Sequence, residues 1–74
     1  MSKPANATKI WILEDHEAFA KQVRRMLNAE EDMECSYHFT HPDDLFDKLR
    51  FSNERPDIML LDLGLPRRER PRAR

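Results

Sequence analysis

The sequence has one cysteine, one glycine, no apolar run longer than four residues and no internal repeat. A single cysteine, Cys35, excludes an internal disulfide. It reads as a reduced, partly buried thiol of a cytosolic protein. Runs of four fall far short of the ~20 apolar residues a membrane helix needs. The N-terminus also lacks the apolar core of a signal peptide. A soluble, cytoplasmic protein is therefore expected, with no membrane partner. Seventy-four residues make at most one small domain with a modest core.

The formal net charge of −1 hides an uneven distribution. Residues 1–66 carry eight Lys/Arg and thirteen Asp/Glu, a net of −5, whereas residues 67–74 carry five Arg and one Glu, a net of +4. That tail, Arg67-Arg68-Glu69-Arg70-Pro71-Arg72-Ala73-Arg74, cannot bury a face and is expected to be disordered. It has no interleaved aromatics and follows an acidic body, which argues against nucleic acid as a partner despite its arginines.

Two short apolar runs organise the rest. Lys9-Ile10-Trp11-Ile12-Leu13 is β-branched and aromatic, a first strand, and it ends in Glu14-Asp15. Ile58-Met59-Leu60-Leu61 runs into Asp62 and fits a strand buried on both faces. Gly64 and Pro66 then stop it. Between these runs the period changes. Over 16–28, Phe19, Val23, Met26 and Leu27 fall on one helical face, with Lys21, Arg24 and Arg25 off it and Asp15 as the expected N-cap. Residues 33–39 alternate loosely and read as a second strand. Thr40 or His41 caps a second helix, with Pro42 in its first turn, Asp43 and Asp44 favouring that end, and Leu45, Phe46 and Leu49 as its buried stripe. Trp11, Phe19, Met26 and Phe46 are core candidates. Residues 1–8 are polar and expected to fray.

The order β-α-β-α-β implies a parallel sheet with right-handed crossovers. Ligands of such sheets bind at the carboxyl ends of the strands. Both apolar strands finish there in carboxylates, so an acidic cluster at one end of the sheet is expected. His16, His38 and His41 have no standard metal-ligand spacing and read as solvent-exposed.

The Glu14-Asp15 pair after a first strand, with Pro56-Asp57, an apolar strand and Asp62-Leu63-Gly64-Leu65-Pro66, resembles the receiver domain of bacterial two-component response regulators over about residues 9–66. The resemblance implies a partial flavodoxin-like fold with strand order 2-1-3. It implies that Asp62 accepts a phosphoryl group from a sensor histidine kinase or phosphotransfer protein. It further implies Mg²⁺ held by Glu14, Asp15, Asp62 and the backbone carbonyl of Gly64. The domain would be a signalling module rather than an enzyme. Carboxylates ~4 Å apart repel by roughly 4 kcal/mol at an effective dielectric near 20, and a hard cation with a taste for carboxylate and phosphate oxygens relieves this.

A complete receiver continues through two more strands and three more helices, with a Ser or Thr and a Lys that contact the phosphoryl group. This sequence stops before either, so slow phosphorylation and a missing conformational relay are expected, as from a truncated or frame-shifted reading frame. The Asp62 strand would then be an exposed edge. That edge gives an alternative function: phosphorylation-independent pairing with another receiver, or with itself as a homodimer. A phosphohydrolase reading is weak, since the acid such enzymes want two residues after the nucleophile is Gly64.

Overall fold

The structure, a computed structural model, describes residues 3–62. Its elements are β1 (Thr8–Leu13), α1 (Glu17–Asn28), β2 (Met33–Phe39), α2 (Pro42–Phe51) and β3 (Ile58–Leu61). The three strands form a parallel sheet in the order β2-β1-β3. This is the parallel sheet expected from the alternation of elements, in the partial flavodoxin-like order that the resemblance implies. No helix among the described residues is long and apolar enough to cross a membrane.

β1 is the central strand, and its alternate side chains serve the two faces. Trp11 and Leu13 point toward α2, where they pack with Leu45, Leu49, Tyr37, Phe39 and Met59. Trp11 is 1% exposed and meets the rings of Tyr37 and Phe39 edge-on, at 5.4 and 5.7 Å between centroids. Such aromatic contacts add to the area they bury. Ile10, Ile12 and Cys35 are also buried. They lie on the opposite pleat, the α1 side, in keeping with the two-residue period of strands. The β1–β2 register shifts after Ile10, which pairs with Cys35 while Trp11 pairs with Tyr37. Ser36 is thus the extra residue of a bulge. Asn28, at the end of α1, accepts from the Cys35 amide at 2.7 Å through its side chain. Burial pushes the Cys35 thiol up, against a smaller opposing pull from Arg24. A group held so is an inert thiol.

The face that α1 buries differs from the expected one. Ala20 is its buried residue, with Val23 and Leu27 half-buried. Phe19 and Met26 are 53% and 68% exposed. The helix is rotated so that its smallest residue meets the sheet, which permits close approach. On α2, Leu45 is buried and Leu49 half-buried, but Phe46 is exposed. Asp15 does not cap α1. The cap is His16, whose Nδ1 accepts from the Phe19 amide at 3.3 Å. His41 does the same for α2, accepting from Asp43 N at 3.1 Å. Arg55 closes the other end of α2 by donating to the Leu49 and Ser52 carbonyls at 3.0 and 2.9 Å, as cations do at helix C-termini.

The described part of the N-terminal stretch is tied down, not frayed. Ala7 is buried and donates to Pro4 O at 3.0 Å. Lys3 Nζ donates to the Asn28 carbonyl at 2.6 Å and to that of Glu30 beyond the end of α1. The expected tail 67–74 lies outside the described residues.

β3 is a sheet edge among the described residues, bonded to β1 alone. Ile58, Leu60 and Leu61 are exposed, which corrects the reading of this strand as buried on both faces. α1 and α2 both pack toward β2, so β3 is largely uncovered apart from Met59, which packs against the Trp11 cluster.

A small polar cluster fastens α2 to β2 and the following loop. Lys48 Nζ lies 2.5 Å from Glu54 Oε1 and 4.0 Å from the Tyr37 ring centroid. Tyr37 donates its hydroxyl to Glu54 at 2.7 Å. Glu54 and then Tyr37 hold Lys48 above its ordinary value, while Lys48 and then Tyr37 hold Glu54 below its own. A depressed carboxylate stabilises the fold above its ordinary value and loses that contribution as pH falls through the folded value. A raised amine does so below its ordinary value and loses it as pH rises through the folded value. The melting temperature of the native chain should therefore exceed that of Glu54→Gln near neutral pH. The gap should close as pH drops past 4.5 and as it climbs past 10.5. A gap independent of pH across both limits would reject the linkage.

Candidate functional site

The parallel register sets the site. Leu13, the last residue of β1, pairs with Leu61, the last residue of β3. Their successors, Glu14 and Asp62, therefore leave the sheet at the same level, and the Asp62 amide donates to Leu13 O at 3.1 Å. Asp15 follows in the turn into α1. Carboxylate oxygens of Glu14, Asp15 and Asp62 all lie within 4.8 Å of one another. The side chains expected to converge do so, except that the Gly64 carbonyl lies outside the described residues.

Burial grades the three. Glu14 is 7% exposed, Asp62 intermediate and Asp15 exposed. Glu14 is held from several directions. Its Oε2 accepts from the His16 amide at 2.9 Å, and its own amide donates to Phe39 O at 2.9 Å. Its carbonyl accepts from His38 Nε2 at 3.1 Å. The main chain of Glu14 is thus clamped to the end of β2, which orients the carboxylate before any ligand arrives. His38 is the positioning residue that sequence reasoning missed. Its place follows from the strand register, which pairs it with Ile12, one step before the end of β1, and no spacing in the sequence signals it.

Three carboxylates this close repel by about 3 kcal/mol per pair at an effective dielectric near 20, less at exposed Asp15 where water screens. Oxygen-only donors are hard ligands, suited to a hard divalent cation rather than to the soft metals that favour thiolate or imidazole. The donor set thus fits a metal ion.

The chain matches no protein-family model, no curated protein and no solved structure. Function must be argued from the fold and this cluster.

Proposed function

We propose that the domain is a receiver module of a two-component phosphorelay, in which Asp62 accepts a phosphoryl group with Mg²⁺ at the Glu14–Asp15–Asp62 cluster. The observation that carries the reading is the convergence of these three carboxylates at the carboxyl ends of two parallel strands. When bound, Mg²⁺ would neutralise the clustered charge and take phosphoryl oxygens as ligands. An Asp62 carboxylate oxygen attacks the phosphorus of the donor, the bond from phosphorus to the donor's leaving group breaks, and the leaving group departs with the electron pair. Glu14, fixed by His16 and His38, and Asp15 hold the cation-binding oxygens in place. The donor in the cell would be a phosphohistidine of a sensor kinase or phosphotransfer protein, and the setting cytoplasmic.

Incubating the folded chain with acetyl phosphate and Mg²⁺ should add one phosphoryl group, stable in acid and labile in base, mapped to Asp62. Asp62→Asn should gain none. A folded chain that stays unmodified, or a variant that is modified equally, rejects the reading.

Exposure of Ile58, Leu60 and Leu61 on a strand with one partner among the described residues favours a second reading. In it, the β3 edge adds a strand from another receiver or from a second copy, independently of phosphorylation. Assembly of that kind does not need the Asp62 carboxylate.

A further inference from the structure

A second cavity lies at the other end of the sheet, toward the amino-terminal ends of the strands and on the α2 face. Lys9 and Trp11 of β1, Ser36 and Tyr37 of β2, and Glu54 and Arg55 of the loop before β3 line it. Its volume is about 350 Å³, within the range of small-ligand sites. Successive side chains of a regular strand point to opposite faces, yet Ser36 and Tyr37 both line this cavity. The bulge in β2 turns Ser36 to the side of Tyr37, as bulges re-aim side chains next to sites. The Ser36 hydroxyl makes no hydrogen bond among the described residues.

The charges around this cavity do not balance. Lys9 pairs with Glu34 at 3.2 Å, and Lys48 pairs with Glu54 at 2.5 Å. Arg55 is left over. Its Nη1 donates to the Ser52 and Glu54 carbonyls and its Nη2 to the Leu49 carbonyl, but it has no carboxylate partner among the described residues. Those three bonds leave two of the five guanidinium N–H groups unspent. One positive charge and one hydroxyl are therefore available to an anion, and a guanidinium suits a carboxylate in particular. Glu34 and Glu54 restrict the rest of the ligand. Lys9, Lys48 and Tyr37 engage only their Oε1 atoms. The Oε2 atoms repel a second negative charge and accept from hydroxyl groups.

We infer that this cavity binds a small hydroxy-acid monoanion, with its carboxylate on Arg55 and Ser36 and its hydroxyl groups on Glu34 and Glu54. Lys9, with ammonium hydrogens beyond the one facing Glu34, stands on the carboxylate side of the exchange. The site shares no residue with the Glu14–Asp15–Asp62 cluster and lies at the opposite end of the strands, so it needs neither a metal ion nor phosphoryl transfer.

The test is an amide NMR titration of the full chain, without Mg²⁺ or phosphodonor and at constant ionic strength. The probes share one carbon skeleton: gluconate, a monoanion, glucitol, its neutral counterpart, and glucarate, a dianion. Gluconate should saturate with a Kd of about 1 mM, the affinity that the usual efficiency of small ligands gives, and should shift the amides of Ser36 and Arg55 and the indole N–H of Trp11. Glucitol and glucarate should bind about tenfold or more weakly. Arg55→Gln should weaken gluconate about tenfold or more. Because Arg55 also closes α2, Ser36→Ala is the second variant. Its hydroxyl serves no contact in the fold, and its loss should weaken gluconate about threefold or more. Lys21→Gln, exposed on α1 across the sheet, should leave binding unchanged. No saturation by about 20 mM gluconate, equal binding of the three probes, indifference to both cavity variants, or shifts centred on Glu14 and Asp62 overturns the inference. No step depends on an Asp62 adduct, so its failure and that of the phosphorelay reading are separable.

Discussion

Trp11→Ala will lower the thermal transition by at least ~12 °C or abolish it. Trp11 is the one large side chain among the described residues that is almost completely buried. It sits on the strand bonded on both sides and touches aromatic rings from β2 on the α2 face. Truncating such a residue costs about 3–5 kcal/mol. A chain of 74 residues has only roughly 4–11 kcal/mol in total at the usual stability per residue. With each kcal/mol shifting the midpoint of a small domain by about 4–8 °C, the melt moves down by at least ~12 °C or disappears. Circular dichroism is the right observable, since the substitution also removes the only tryptophan. Phe51→Ala, at a site 76% exposed, should stay within ~0.5 kcal/mol of the native chain. A Trp11→Ala chain that melts cooperatively within a few degrees of the native one would show that the core lies elsewhere.

The contrast between Trp11 and Phe19 shows what could be read from residues alone. A four-residue apolar run bounded by polar residues has few uses, so β1 and β3 were legible, whereas the sheet order rested on the resemblance to a receiver domain. The convergence of Glu14 and Asp62 followed as well, because parallel strands of matched register must end together. The helix faces were less legible. Phe19, Val23, Met26 and Leu27 do share a stripe, but how much of a helix is buried depends on how many strands lie beneath it. With β3 uncovered, burial moves around the helix to Ala20, whose small side chain carries little hydrophobic signal. The histidines were opaque for another reason. A ring nitrogen that accepts from an amide three residues on, as in His16, or donates to a carbonyl on the next strand, as in His38, is chosen by backbone geometry, which spacing does not encode.

Adding Mg²⁺ will raise the melting temperature of the native chain, and Asp62→Asn will remove most of that rise. A cation that binds the folded state alone stabilises it by RT ln(1 + [L]/Kd), about 2.7 kcal/mol at a hundredfold excess over Kd. At about 4–8 °C per kcal/mol the shift is roughly 10–20 °C. The folded state is the one that can bind, because residues 14 and 62 are brought within 4.8 Å by strand pairing and by nothing local in the chain. Asp62→Asn removes one negative charge from the cluster. With metal it should gain little, so the difference between the two melting temperatures should shift in favour of the native chain as Mg²⁺ is added. Asp57→Asn is the matched control. It removes a charge at the other end of the same strand and keeps an oxygen to accept from the Lys9 amide, as Asp57 Oδ2 does at 2.8 Å, so its metal-dependent rise should equal that of the native chain. NaCl at equal ionic strength separates site binding from screening of the acidic body. If NaCl reproduces the rise, or Asp62→Asn keeps it, the three carboxylates are not a cation site, and the phosphorelay reading loses the chemistry on which it depends.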